Sequence, residues 1–151
     1  MVKKSARLIK EDSGPVQPSD SADPHSFVFE LDLAFRAQVI GKLEASPMLP
    51  LYEVVAPSKR GVYALYWKGS LVYAGKALGT TLRRRLAEQS RKISARQNIA
   101  LSQMTCRFLT IESDWYVREA ERALIATYKP TWNTSGFGNQ RHGPRVSIRR
   151  S

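Results

Sequence analysis

Hydrophobic and polar positions follow their clearest pattern between Gly61 and Ala77, where the chain reads GVYALYWKGSLVYAGKA. Two apolar, β-prone runs, GVYALYW and LVYAG, flank the polar break Lys68-Gly69-Ser70. Aromatic and β-branched residues favour strands, and glycine tolerates the positive φ of a tight turn, so the segment predicts a β-hairpin. On that hairpin Tyr63 and Tyr73 occupy neighbouring strands, with both hydroxyls facing one pocket. Downstream, a helix is predicted from about Thr80 to Ala95, capped by Thr80 or Thr81, with Leu82, Leu86 and Ile93 facing inward. MTCRFLTIE reads as a third strand. TIESDWYVREAERALIATYKP then reads as a helix capped at Ser113 or Asp114 and ended before Pro130.

Upstream of the hairpin, FVFELDLAFRAQVIGKLE predicts a short strand and then an amphipathic helix with Phe35, Val39, Ile40 and Leu43 on one face. Pro47, Pro50 and Pro57 mark the loop that follows. Residues 1–25 are polar, with Gly14, Pro15, Pro18 and Pro24 among several serines, and read as a flexible N-terminal arm. After Trp132-Asn133 the chain turns Gly-rich and basic, SGFGNQRHGPRVSIRRS. The expected organisation is an arm over 1–25, a folded domain over 26–135 and a basic C-terminal tail over 136–151. Helices and strands in the order α-β-β-α-β-α predict an α+β fold, a small central antiparallel three-stranded sheet flanked by helices.

With 151 residues, 42% of them hydrophobic, the chain is long enough and apolar enough to bury a core. No apolar run approaches the roughly 18 residues of a membrane span. The basic N-terminus lacks the apolar segment of a secretory signal. Cys106 is the sole cysteine and lies in an apolar run, which excludes an internal disulfide, fits a reducing cytoplasm, and favours a core thiol over a nucleophile. With His25 and His142 the only histidines, a Cys/His metal cluster is excluded as well. The net charge of +11 changes the picture most, because positive and negative residues cancel over 1–25 and the surplus falls on the folded part and the tail. No amphipathic helix rich in Trp, Phe or Leu supports a membrane-surface reading of that charge, so a nucleic acid is the expected partner.

Arg83-Arg84-Arg85 follows the hairpin directly, and arginines beside two tyrosines are what a phosphodiester site needs. With these come Glu121-x-x-Leu124-Ile125 and Pro130-x-x-Asn133. Taken in order, GVY, YAG, the Arg-x-x-x-polar helix and these two elements resemble the GIY-YIG nuclease family over residues 61–133. Over roughly 27–141, GVYALYW, VYAGKA, LRRRLAE-x-SRKI, E-x-x-LI-x-x-YKP-x-WN and GFGN are similar to its type II restriction endonucleases that cut GC-rich palindromes.

The resemblance implies a Mg²⁺- or Mn²⁺-dependent endonuclease acting on double-stranded DNA. Glu121 becomes the metal ligand, and a lone carboxylate suits an ion that keeps most of its waters. Its alternative is a surface pairing with Arg118 or Arg122. Arg85 becomes the residue that stabilises charge on the scissile phosphate, while Arg83 and Arg84, turned away by about 100° per residue, become backbone clamps. Tyr63 serves as, or within, the general base, which requires a hydroxyl pKa lowered by Arg85, Lys76 and the metal. Tyr73 orients the phosphate or the first tyrosine. Asn133 either fixes local structure, as a turn after Pro130 does, or hydrogen-bonds near Glu121.

One position departs from the pattern. Gln89, one helical turn after Arg85, stands where this branch carries histidine, and glutamine cannot titrate. Either the chain is a disabled nuclease that still binds DNA and metal, or Tyr63 suffices, with His142 or water taking the proton. The first of these defines the alternative function, a catalytically inactive sequence-specific DNA-binding module on the same fold. Further DNA contacts are expected from Lys76, Arg83, Arg84 and Arg91, and from Asn139, Gln140, Arg141 and Arg145 of the tail, with Arg149 and Arg150 behind them. Palindromic sites imply a homodimer, and the 27–44 segment is the candidate face.

Overall fold

The computed structural model describes residues 23–135 and Phe137. Contacts divide the chain between Asp32 and Leu33. From Leu33 onward, three helices and a four-stranded sheet form one unit. In chain order the elements are α1 (Leu31–Ala45), β1 (Leu49–Pro50), β2 (Gly61–Trp67), β3 (Ser70–Ala77), α2 (Leu82–Ser94), β4 (Met104–Thr110) and α3 (Asp114–Tyr128), with short 3₁₀ turns at Leu51–Glu53, Leu101–Gln103 and Thr131–Asn133. The sheet order is β1-β4-β2-β3 and every pairing is antiparallel. The α+β class expected from the sequence is therefore the one observed.

Two local expectations need correction. The short strand at Phe27–Glu30 does not form; Phe27, Val28 and Phe29 are exposed and pair with no strand. In its place the proline-marked loop supplies a fourth strand, Leu49–Pro50, on the outer side of β4. Proline lacks an N–H and is tolerated at a sheet edge, where no partner needs one. A two-residue strand carries no periodicity from which it could be read.

Elsewhere the local chemistry works as its residue types dictate. The β2–β3 turn has two central residues, Lys68 and Gly69, both at positive φ (53° and 86°), the geometry that matches the twist of the flanking strands. The Thr81 hydroxyl caps α2 by accepting from the Arg84 N–H at 3.1 Å. Ser113 caps α3, which ends at Lys129 in the left-handed region, just before Pro130. On α1, Val39 and Leu43 are buried and Phe35 and Ile40 pack beside them, as their spacing predicts. Carbonyls at the end of α1 (Leu43 and Glu44) and just beyond it (Ser46) accept hydrogen bonds from the Arg107 guanidinium of β4. That basic residue joins helix to sheet.

The pairing of β2 with β3 is not continuous. Trp67 pairs with Ser70 and Tyr66 with Leu71, but Leu65 pairs with Tyr73, leaving Val72 as an extra residue. Directly opposed residues share a face, so this bulge brings Tyr73 to the side that already carries Tyr63 and Leu65. That face packs against Leu82, Leu86 and Ile93 of α2. The opposite face, with Val62, Ala64, Tyr66 and Ala74, packs against α1 and α3.

Gly61 is required by close approach. A Cβ on Gly61 would lie 2.0 Å from the Leu109 carbonyl oxygen of β4, whereas one on Gly41, in α1, would meet nothing within 4 Å. Gly61→Ala is expected to destabilise the protein by about 1–3 kcal/mol or prevent folding, through backbone displacement. Gly41→Ala is expected to stabilise it by roughly 0.5–1 kcal/mol, by removing a flexible residue from a helix interior. Urea denaturation of both variants checks the contrast; equal effects would contradict the packing described.

Candidate active site

Tyr63 sits on the central strand β2 with no solvent exposure, its ring 6.2 Å from that of Tyr73 and tilted by 44°. Gly75 lies directly opposite, and a Cβ there would come within 2.6 Å of the Tyr63 hydroxyl. The glycine of YAG is thus the space into which the phenol of GVY reaches. The hydroxyl accepts from Gln89 Nε2 at 2.9 Å and from Arg85 Nη2 at 3.3 Å. Both partners donate, so they take the oxygen's lone pairs and leave its own hydrogen to be given elsewhere. The Tyr73 ring is the aromatic neighbour on that side.

Arg85, with its side chain 17% exposed, is held in place by Glu88 Oε1 at 2.8 Å as well as by Tyr63. Gln89 is fully buried and falls on the same stripe as Leu82, Leu86 and Ile93, so its amide faces inward with the helix core. Its Oε1 is buried without a partner among the described residues.

In the protein without metal, burial governs both hydroxyls. Tyr63 does not have a lowered pKa: burial pushes it well above its ordinary value, Tyr73 adds to the rise, and the opposing pull of Arg85 and Gln89 is smaller. Burial raises Tyr73 as well, with Glu121 adding to it and Arg85 opposing. In the protein without metal, neither hydroxyl is poised to give up its proton near neutral pH.

Tyr73 and Lys76 stand on opposite faces of β3, yet the sheet ends at this strand, and Glu121 of α3 reaches the same edge. Its Oε1 accepts from Lys76 Nζ at 3.0 Å, with side chains 21% and 39% exposed respectively. The surface pairing with Arg118 or Arg122 does not occur; Arg122 pairs instead with Glu119. Asn133 completes the edge. Its Oδ1 accepts from the Ala74 N–H and its Nδ2 donates to the Ala74 carbonyl, both at 2.9 Å, so one side chain satisfies the open backbone of YAG. Of the two roles read for Asn133, the geometry supplies the local-structure one.

The sequence pattern of the Eco29kI GIY-YIG domain matches residues 72–151 of this chain, more than half of it. The chain belongs to that family. Its members are type II restriction endonucleases, and the matched stretch holds Tyr73, Arg85, Gln89, Glu121 and Asn133. Among solved structures, the GIY-YIG N-terminal endonuclease domain of UvrC from Thermotoga maritima bound to magnesium is 24% identical over 64% of this chain and 96% of that one, with a TM-score of 0.43. A point-mutant form of the same domain bound to its catalytic divalent cation is 21% identical over 63% and 93%, with a TM-score of 0.42. No curated protein matches the chain significantly.

For a chain of this family the donor set can be tested against a divalent cation. Among the described residues no three Asp, Glu, His or Cys side chains gather together, so an ion would have one carboxylate, Glu121. That fits Mg²⁺, which binds through one or two carboxylates and keeps several waters, and only one oxygen of Glu121 is engaged, by Lys76. The other expected DNA contacts are scattered. Arg83 is tied to the Ala56 carbonyl at 3.0 Å, Arg84 is 76% exposed with a loose 3.6 Å pair to Glu88, and Arg91 is exposed. Asn139, Gln140, Arg141, His142, Arg145, Arg149 and Arg150 lie outside the described residues. Cys106 is buried with its thiol pushed up to about 12, as a core residue should be.

Two residues of the SRKI and GFGN elements, to which the sequence assigned no role, also come beside the site: Phe137 packs on Tyr73, and Lys92 sits over Phe137.

Tyr63 also generates a prediction about alkaline stability. A hydroxyl that keeps its proton more tightly when folded contributes stability that is complete below its ordinary value of 10 and is lost as the pH climbs above it toward the raised folded pKa. Urea denaturation between about pH 9 and about pH 11 should show a steeper loss for the parent chain than for Tyr63→Phe. Equal slopes would mean that the hydroxyl is not sealed.

Proposed function

We propose that this chain is a type II restriction-like endonuclease that hydrolyses both strands of a short, GC-rich double-stranded site, working as a homodimer in the cytoplasm. The observation that carries the reading is the convergence on the β3 edge of Tyr63, Tyr73 and Arg85 from one face of the sheet and Glu121 from the other. Arg85, fixed by Glu88 and Tyr63, presents guanidinium donors to a phosphate oxygen and stabilises the charge that grows there. Tyr63, its hydroxyl held by Arg85 and Gln89, packs its ring against that of Tyr73, whose hydroxyl orients the phosphate. Asn133 holds the backbone of that strand still.

Glu121 is the residue to hold Mg²⁺ or Mn²⁺, and Lys76 gives up its ion pair to make room. The cation supplies, when bound, positive charge at the phosphate and a more acidic water. Lys76, Arg83, Arg84 and Arg91, with Asn139, Gln140, Arg141 and Arg145 of the tail, contact DNA around the cut.

A specific observation favours a second reading, a DNA-binding module that no longer cuts. Gln89 is sealed from solvent and cannot titrate, and the hydroxyl it touches is held above its usual range, so no group in the cluster takes a proton readily. We assign Gln89 a cost in cleavage and none in binding.

Supercoiled plasmid incubated with Mg²⁺ or Mn²⁺ tests both readings. The parent chain should give slow, discrete cleavage; Glu121→Ala should abolish it; Gln89→His should raise the rate by roughly 10²-fold or more, the scale of a restored proton acceptor. Site-specific binding without cutting by either the parent or Gln89→His supports the binding module. Neither binding nor cutting defeats both.

A further inference from the structure

Phe137 belongs to the GFGN segment at the start of the basic tail, yet it is only 3% exposed and joins the core cluster that contains Tyr63 and Tyr73. Its ring meets the Tyr73 ring edge-on, with centroids 5.1 Å apart at 67°, and lies 5.1 Å from Trp132, the neighbour of Asn133. Two cations sit against the other parts of the residue. Lys92 Nζ lies 4.5 Å from the ring centroid and donates to the Phe137 carbonyl at 2.6 Å, and the Arg96 guanidinium carbon is 5.0 Å from the same centroid.

We infer that Phe137 is a positioning residue for Tyr73, gripped from α2 and its C-terminal side by Lys92 and Arg96. The inference rests on the nuclease reading for its effect on catalysis, but not for the contact itself. Tyr73 stands on an edge strand whose backbone is held by Asn133; its ring has no strand beyond it to lean on. Phe137 fills that place. Edge-to-face aromatic contacts and cation–π contacts have defined geometry, so together they fix a ring more tightly than apolar burial alone.

The grip is not there for the comfort of its cations. Burial, then Arg85 and Arg96, pull the Lys92 amine down to about 8, with Glu88 alone pulling the other way. Arg96 is lowered by burial too. Because Lys92 lies seven residues beyond Arg85 on α2, the same helix that aims Arg85 at the phosphate also sets Phe137 on Tyr73.

The test compares Phe137→Ala, Phe137→Tyr, Lys92→Met and Lys92→Arg in the full chain by two readouts: the Tyr73 ring proton resonances, and kcat and KM for plasmid cleavage in the Gln89→His background. The expected result for Phe137→Ala is a shift of the Tyr73 resonances and a kcat reduced roughly 10–100-fold, with KM within about twofold. Phe137→Tyr and Lys92→Arg should keep both near the parent values. Should Phe137→Ala fail to fold, Lys92→Met, which loosens the grip and leaves the ring, is read by the same measurements. Unmoved Tyr73 resonances, a loss confined to KM, or a Phe137→Tyr as damaged as Phe137→Ala would each overturn the inference. If no form of the chain cuts DNA, the nuclease reading fails separately and the resonances decide the positioning alone.

Discussion

Directly opposed residues of an antiparallel hairpin share a face, so an extra residue in one strand reverses the orientation of everything beyond it. Val72 is that residue here. Carried on from the turn without it, the register Trp67–Ser70 and Tyr66–Leu71 would set Tyr63 opposite Ala74 and turn Tyr73 to the face of α1 and α3. With the bulge, Gly75 comes opposite Tyr63 and Tyr73 joins it against α2. The space at Gly75, the approach of the two phenols and their access to Arg85 and Gln89 all depend on this one shift of phase. Neither tyrosine motif could work as a pair without it.

The second constraint is that β3 ends the sheet. An interior strand would separate the residues of its two faces, whereas an edge lets Glu121 come round to where Tyr73 lies. An open edge also leaves backbone groups unsatisfied and invites pairing with another chain. Asn133 removes that liability at the point where the site needs rigidity, by closing both backbone bonds of Ala74. The charge of the chain is likewise divided between uses. Arg107 ties the end of α1 to β4, Arg60 holds Glu112 and Asp114, and Lys92 holds Phe137, so part of the basic excess builds the fold.

What the sequence revealed was local chemistry. The hairpin turn, the Thr81 and Ser113 caps and the stop before Pro130 each follow from a residue type whose backbone preference or side-chain acceptor acts within a few positions. Phe27–Phe29 had the composition of a strand but no neighbour to pair with, and β1 had a neighbour but no composition to reveal it. Both errors concern partners distant in sequence. The cluster of Tyr63, Tyr73, Arg85 and Gln89 was legible because a motif and a helical turn tie its members together. The direction of the Tyr63 pKa was not, since burial outweighs a nearby cation only when the depth of the hydroxyl is known. Gln89 is a middle case: the sequence set it on the Arg85 side, and only the observed 82-86-89-93 stripe shows that it faces inward. Phe137 lay in a segment whose glycines and arginines read as a tail, and only its contacts show that this residue belongs to the core.

The proposed nuclease needs the one carboxylate at the β3 edge, Glu121, to hold a divalent cation beside the tyrosine and arginine cluster. Anomalous diffraction from crystals of the protein with Mn²⁺ and uncut DNA tests it most directly. A single strong manganese peak per chain is expected in contact with the Glu121 carboxylate, on the Tyr73 side, with Lys76 moved off its present partner. A peak elsewhere, or none while the Lys76–Glu121 pair stays closed over bound DNA, would contradict it.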